Sequence, residues 1–483
     1  MKFQKLIQNQ LSFSNGHESI NYIYIFKLFF MICCYLIMAP RDNNAQVQLP
    51  FYNYNLYVTK SQPWAAAKDV MAINLSLFSF DRYIVEFDWA KISPVTMKKN
   101  LNNGFEWDWN AFETNYFMHP YNGAMYYNAA RCHGLNFWLS VPYALGGSLI
   151  WELLLETEPP STNDLINTTL DGIVLGEIFY RLSALILDDR AAGTGSKWPR
   201  VAAFMLNPVL GMNRLFSGQL QTRGTGRYLY NPLHGSIDLG TGFLTNSLNA
   251  PGFKDQPIVG IHSVYGDPFR KIRIRAPYDF FEFRAWVRLG KSPALPTYPY
   301  LNIYGFGNLY ARKIGHGETN HMFAIFQDYD FLHTESIAIG STAVTIGLLS
   351  NINFAQSNAT TIVRGGPIIL GGSNTEYIKV DIEKDLLRNY NFGSGYTIKV
   401  QGTWNTSISN IYLLLSHYSI YTLSGAAGSE HLNMANLKYQ IRVWNDWGIG
   451  VEYTHYFRDA FYKDFPDVHR EMSNVRSYLC YMF

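Results

Sequence analysis

Charge is scarce in this sequence. Asp, Glu, Lys and Arg make up 16% of its 483 residues, against roughly 25% in an average soluble domain. The 39 basic and 37 acidic side chains nearly cancel. No surface basic enough to neutralise a phosphate backbone is implied, so a nucleic-acid partner is excluded. Cysteine is scarcer still, with four residues. Cys33 and Cys34 sit together in an apolar run, and Cys132 and Cys480 are too far apart to read as a disulfide framework. Long apolar runs are few, and mean hydropathy is -0.09. That excludes a polytopic helical membrane protein. A hydrophobic content of 48% also excludes a disordered chain.

Aromatic residues are what the sequence has in abundance: 34 Tyr, 32 Phe and 11 Trp, or 16%. A charge-poor, aromatic-rich chain of average hydropathy fits a transmembrane β-barrel, whose strands alternate apolar and polar residues. A large secreted β protein fits the same figures.

The N-terminal region carries the parts of an export signal. Leu28 to Ala39 is an uncharged apolar run preceded by Lys27, Lys5 and Lys2, and Asn43, Asn44 and Ala45 offer a small-residue cleavage site. Residues 1–45 are therefore expected to be a signal peptide removed near Ala45. The start before Lys27 is long, which a misassigned start codon would explain, and a signal anchor is the alternative. Ile32 stands where a lipid-modified cysteine would need a small residue. Without residues 1–45 the chain has 35 basic and 35 acidic side chains, since Lys2, Lys5, Lys27 and Arg41 leave with Glu18 and Asp42.

From about residue 235, within a barrel region taken as 221–483, the pattern changes to period two, which gives a strand one apolar and one polar face. In Phe280 to Leu289, Phe281, Phe283, Ala285, Val287 and Leu289 share one face, and Glu282, Arg284 and Arg288 the other. Similar segments are 236–243, 300–310, 322–331, 337–348, 377–382, 396–404, 411–421, 437–444 and 448–457. The last, Val475 to Phe483, puts Val475, Leu479, Tyr481 and Phe483 on one face. Many bacterial outer-membrane barrels end on such an aromatic strand. The expectation is a mostly β chain with an α-helical insert: an antiparallel transmembrane barrel of about 12 strands with an associated helical block. A soluble sandwich or jelly roll is the alternative.

Residues 116–220 read as helices, after a lead-in over 46–115. Tyr121 to His133 is one and Leu135 to Glu156 another. Ser161 and Asp164 have the spacing of a capping box after the Pro159-Pro160 break, opening a helix that runs to about Asp188. Between Arg131 and Glu152 no charge occurs, long enough for a membrane span. Asn136, Pro142 and Gly146-Gly147-Ser148 argue instead for a buried helix packed on residues 172–187, where Gly172 and Gly176 permit close approach.

This block carries a dense set of particular residues: His119-Pro120-Tyr121-Asn122-Gly123, Tyr126-Tyr127-Asn128 with Arg131, Trp151-Glu152, and Glu156 to Asp164. Gly172, Gly176-Glu177, Tyr180-Arg181, Asp188-Asp189-Arg190, Asn207-Pro208 and Gly211 to Arg214 continue it. Over roughly residues 100–220 it resembles the bacterial domain of unknown function 3943, common in Bacteroidetes envelope proteins. The resemblance implies an envelope protein and no particular reaction.

Which of these residues could do chemistry? Glu152 and Glu156 are four apart on one helix, as are Glu177 and Arg181, so each pair shares a face. With His119 and Arg131 they are costly to bury unless paired. The catalytic candidates are thus His119, Glu152, Glu156 and Glu177. Arg131, Asp164 and Arg181 are candidates for binding or for an ion-pair network, Arg131 with Glu152 or Glu156 and Arg181 with Glu177. One His among carboxylates lacks the paired spacing of common metal motifs, so no metal and no cofactor are expected. Asp164, Asn167 and Asp171 form a stripe that capping and a solvated face explain. His417 and Ser419 share a strand face. Trp404, Tyr412, Tyr418, Tyr421, Trp444 and Trp447 suit an interfacial girdle.

Three functions follow. The first is an outer-membrane β-barrel of a Gram-negative bacterium that binds outer-membrane lipid. It would engage the assembly machinery through Phe483, with a structural role or one in binding or transport of an envelope molecule. The second is a barrel enzyme acting on lipid or lipopolysaccharide. The third is a secreted soluble glycan-binding β protein, for which the outward strand faces should lack an apolar band.

Overall fold

The computed structural model describes residues 61–187, 198–216, 233–246, 256–269, 276–289, 301–314, 320–334, 337–354, 356–381 and 386–483. The expected signal peptide, its cleavage site, Cys33, Cys34 and Asp188 to Arg190 lie outside these residues. The described residues fall into two compact units, a helical one within 61–216 and a barrel within 233–483.

Seven α-helices build the helical unit among the described residues: α1 (Pro63–Phe80), α2 (Pro94–Asn102), α3 (His119–Cys132), α4 (Phe137–Ile150), α5 (Thr162–Leu187), α6 (Trp198–Leu206) and α7 (Pro208–Phe216). Local chemistry starts them. Pro63 and Pro94 occupy first-turn positions, where no amide hydrogen is needed. Ser93 and Thr96 form a reciprocal capping box on α2. Asn136 caps α4 by accepting from the Leu139 amide at 3.0 Å. Trp151–Leu155 then widens into a π turn that ends at Glu156.

Gly172 packs on α3 rather than on α4. A Cβ on Gly123 would lie 1.6 Å from the Thr168 carbonyl oxygen, and one on Gly172 would lie 2.6 Å from the Gly123 Cα. Gly176 meets the Tyr127 ring, and Gly147 of α4 meets Tyr126. The close approach expected from Gly172 and Gly176 therefore exists with a different partner, because the α3 glycine supplies the matching gap. Nor is α4 buried all round. Ser140, Ala144, Gly147 and Ser148 are covered, while Trp138 and Leu139 are exposed at 58% and 56%. Phe137–Leu155 is long and apolar enough to cross a membrane by length and composition.

The second unit is a closed barrel of 12 antiparallel strands: β1 (Leu233–Asn246), β2 (Gln256–Tyr265), β3 (Phe281–Arg288), β4 (Leu301–Ile314), β5 (Asn320–His333), β6 (Ala338–Phe354), β7 (Ser357–Asp381), β8 (Leu386–Thr406), β9 (Ser409–Ser424), β10 (Gly428–Trp444), β11 (Trp447–Tyr462) and β12 (Val468–Met482). Each pairs with the next, and β12 closes on β1, with Ser236 opposite Met482. The Gly235 and Phe483 backbones exchange two hydrogen bonds at 2.9 and 3.0 Å.

Strand number and class agree with the sequence pattern, but β2 is missing from its segments and β7 is marked only by 377–382 at its end. β2 has Pro257 and Gly260, and β7 carries Gly365-Gly366-Pro367 and Gly371-Gly372, residues that interrupt a period-two pattern. In β7 they fall beside register shifts at Ile368/Gly371, where the 25-residue strand stays paired. β3 is covered on both faces.

Elsewhere the alternation is inside-out for a water-soluble protein. On β9, Tyr412, Leu414, Ser416 and Tyr418 face inward and are buried, while Leu413 and Leu415 are exposed outside. Ile346, Val363, Ile398, Leu437, Val451 and Leu479 extend that exposed apolar surface over β6 to β12. Tyr412 and Tyr418 are thus lumen residues and not girdle residues. Trp404, Tyr421 and Trp444 are exposed at 50%, 52% and 69%, as a girdle requires.

Candidate functional site

The segment before α3 and the start of α5 are tied by an isolated bridge between Glu106 and Ser161. The Glu106 amide donates to the Pro160 carbonyl, and the Thr162 amide to the Glu106 carbonyl, both at 2.8 Å. This fixes Asp108 beside the first turn of α5, where its own amide donates to Asn163 Oδ1 at 2.9 Å. Asp108 Oδ1 in turn accepts from the Asn110 amide at 3.0 Å.

His119, at the start of α3, points at the same place. Its Nε2 lies 3.5 Å from Asp164 Oδ1. That nitrogen is shielded from solvent and makes no hydrogen bond. One ligating atom each from Asp108, His119 and Asp164 lie within 4.8 Å of one another. The π turn that ends α4 adds Glu152 and Glu156, whose carboxyl groups hydrogen-bond each other.

The expected capping box forms only in part. The Asp164 amide donates to Ser161 Oγ at 3.2 Å. The reciprocal arm comes from Glu152, whose Oε2 accepts from the Ser161 amide at 2.8 Å. This leaves the Asp164 carboxylate to turn inward. The stripe is accordingly buried and not solvated: Asp164, Asn167 and Asp171 are 3%, 0% and 0% exposed.

Electrostatics follow from burial without cations. Among the described residues, no Lys or Arg forms an ion pair with Glu152, Glu156 or Asp164. Burial pushes the Asp164 carboxyl up to about 7, against hydrogen bonds from Ser161, Asp108 and Asn163. Burial, then the Asp164 charge, push Asp108 up to about 7 as well. Glu152 is held well above the usual carboxylate range by burial and by Asp164, and Glu156 by burial and by Glu152. Burial lowers His119, with Asp108 pulling the other way. Such a cluster retains protons near neutrality and can exchange them, or can exchange them for a cation.

Glu177 belongs elsewhere. Arg131 Nε donates to its Oε2 at 2.7 Å, Arg181 Nε to its Oε1 at 2.8 Å, and the Tyr127 hydroxyl to Oε2 at 2.9 Å. Arg131 also lies over the Tyr180 ring at 4.3 Å. Arg181 thus pairs as its spacing suggested. Arg131 does not reach Glu152 or Glu156; the α3–α5 crossing turns it to Glu177. Burial pushes the Glu177 carboxyl up, but the two guanidinium groups pull harder and hold it below its ordinary value.

The sequence offered no sign of Asp108. It lies 56 residues from Asp164 in Trp107-Asp108-Trp109, and only the Glu106–Ser161 bridge makes them neighbours. His417 bonds Asn433 Oδ1 at 2.8 Å on the exposed face of β9, and Ser419 is buried.

The barrel interior holds a second set of charges. Lys399 bonds Asp328 at 3.0 Å and Asp330 at 2.5 Å, and Arg364 bonds Asp328 at 3.0 Å. Arg284 bonds Glu452 at 3.0 Å, and Lys438 bonds Asp238 at 2.8 Å. Some contacts span the full width. The Tyr304 hydroxyl of β4 reaches Met434 Sδ of β10 at 3.3 Å, and Arg284 of β3 lies 4.4 Å over the Tyr412 ring of β9. In each case the strands are half-way round the ring from each other. Two cavities of about 20 and 10 Å³ lie among these side chains, room for about one water each.

Residues 104–209 match the family model Domain of unknown function (DUF3943). The DUF3943 segment contains Asp108, His119, Glu152, Glu156, Asp164 and the Glu177 trio. No curated protein matches the chain. Among solved structures, a loop L8 deletion mutant of OmpT, an outer membrane protein of Vibrio cholerae, is 8% identical with a TM-score of 0.22, covering 52% of this chain and 98% of that one. The outer membrane channel DcaP of Acinetobacter baumannii is 10% identical with a TM-score of 0.22, covering 52% and 96%. An anion-selective porin from Comamonas acidovorans is 9% identical with a TM-score of 0.22, covering 52% and 99%. At those scores the likenesses add no argument to the barrel geometry described above.

Proposed function

We propose that the protein is an outer-membrane β-barrel with a sealed lumen that anchors the DUF3943 helical unit at the cell envelope. One observation carries this reading: the exposed outer face of β6 to β12 is apolar while the interior is charged and paired. Lipid can cover such an outer face, and a closed sheet leaves no unpaired edge in it. A soluble glycan-binding protein would need that face to be polar. Among the described residues, direct contacts between opposite strands cross the lumen, which supports a role in anchorage over one in diffusion. The aromatic strand ending at Phe483 is the part that assembly machinery would engage, and outer-membrane lipid is the partner of the apolar band.

Membrane fractionation and heat-modifiable gel migration test the location; recovery in the soluble periplasmic fraction would sink it. Planar-bilayer recording tests the seal. The expected result is insertion without steady conductance, and steady channels of porin size would overturn it.

The convergence of His119 with buried carboxylates favours a second reading, catalysis on an envelope lipid. Envelope lipid profiles of Glu152→Gln, Glu156→Gln and His119→Ala strains should then depart from wild type. Unchanged profiles in a deletion strain would remove that reading.

A further inference from the structure

We infer that Asp108, His119 and Asp164 form a binding site for one divalent transition-metal cation, independent of where the barrel resides. The three side chains come from three separate elements, and their ligating atoms already lie within 4.8 Å of one another. An ion coordinated tetrahedrally at about 2.1 Å holds its ligand atoms about 3.4 Å apart. His119 Nε2 and Asp164 Oδ1, at 3.5 Å, have that separation now.

The imidazole is the second, independent sign. A buried ring nitrogen without a hydrogen-bond partner is costly, and His119 Nε2 is in that state while facing Asp164. A cation satisfies it directly. The cation also balances Glu152 and Asp164, which are 1% and 3% exposed and have no Lys or Arg ion partner among the described residues. The Glu177 trio shows the contrast, since there two arginines do the balancing.

The donor set selects the class of ion. Carboxylates alone suit Mg²⁺ or Ca²⁺, whereas an imidazole with two carboxylates suits Zn²⁺, Fe²⁺ or Mn²⁺. Supporting contacts are in place. Asn163 Nδ2 donates to Asp164 Oδ1 at 2.8 Å, and Asn163 Oδ1 accepts the Asp108 amide. One amide side chain thereby orients the Asp164 carboxylate and holds the Asp108 backbone beside it, as ligand-supporting groups do.

The test uses the full-length protein in detergent, stripped with chelator and titrated with Zn²⁺. Wild type is expected to take up one equivalent, read by elemental analysis and by a rise in the unfolding temperature. His119→Gln and Asp164→Asn should weaken binding by more than the ~10–100-fold that losing a supporting group costs. Asp88→Asn, at an exposed pair with Lys91, should bind as wild type. X-ray absorption of the wild-type Zn²⁺ adduct keeps the test independent of variant folding; one imidazole with oxygen ligands is expected. No uptake by wild type, undiminished uptake by His119→Gln, or a spectrum with several imidazoles or any sulfur ligand would overturn the site.

Discussion

Consider the substitution Glu177→Gln. The side chain keeps its shape and loses its charge at a position 0% exposed, between Arg131 and Arg181, each 3% exposed. The wild-type carboxylate accepts from both guanidinium groups and from Tyr127. The variant leaves two buried cations facing each other across an amide that must also present a donor to them. Removing one partner from a buried ion network costs ~3–5 kcal/mol. Replacing all three with Met, Leu and Met at 131, 177 and 181 should be far milder, because desolvation of the charges disappears along with their attraction. Urea unfolding of the helical unit, followed by near-ultraviolet circular dichroism of the full chain in detergent, measures both, while gel migration reports the barrel separately. The pH dependence has a definite sign. The folded pKa lies below the ordinary 4.5, so the stabilisation is complete above that value and is lost as pH falls through the folded pKa. Glu177→Gln should lack this part of the acid sensitivity. A loss under ~1 kcal/mol for Glu177→Gln, or additive losses when it is combined with Arg131→Met, would refute the argument.

Other outcomes follow from the same contacts. Gly172→Ala and Gly123→Ala should each lose several kcal/mol, because the added methyl meets backbone and not a movable side chain; normal unfolding midpoints would contradict the crossing. The triple variant Tyr304→Ala, Arg284→Ala, Tyr412→Ala should open measurable bilayer conductance where wild type has none. Cys480, 0% exposed inside the barrel, should resist a water-soluble maleimide in wild type and react in that triple variant, as peptide mass mapping would reveal.

Fold was more legible than site. Period-two segments such as 411–421 and 448–457 declared the barrel because one face must meet lipid or core throughout their length. Most of β7, before 377–382, escaped because its glycines serve a bend inside a paired strand, and turn chemistry looks the same in both settings. Gly172 announced a close crossing without naming its partner, since a missing side chain has no direction. The pairing of Glu177 with Arg181 is local and was readable at a spacing of four. The pairing with Arg131 depends on how α3 lies on α5. Asp108 is the extreme case: its role depends on one bridge between distant segments, and composition carries no trace of it.

The seam between β1 and β12 has a kinetic consequence. Its partners are separated by about 250 residues, so it carries the largest loop-closure entropy of any strand pair in the sheet. Until that pair forms, both β1 and β12 expose unpaired backbone along an apolar wall. Folding is therefore expected to end at this seam, slowly and as one concerted step. Cells must hold the nearly complete sheet away from other open edges in the interval. Pairing of the Phe483 backbone with Gly235 marks the moment that hazard ends, and a cross-link placed there would time it.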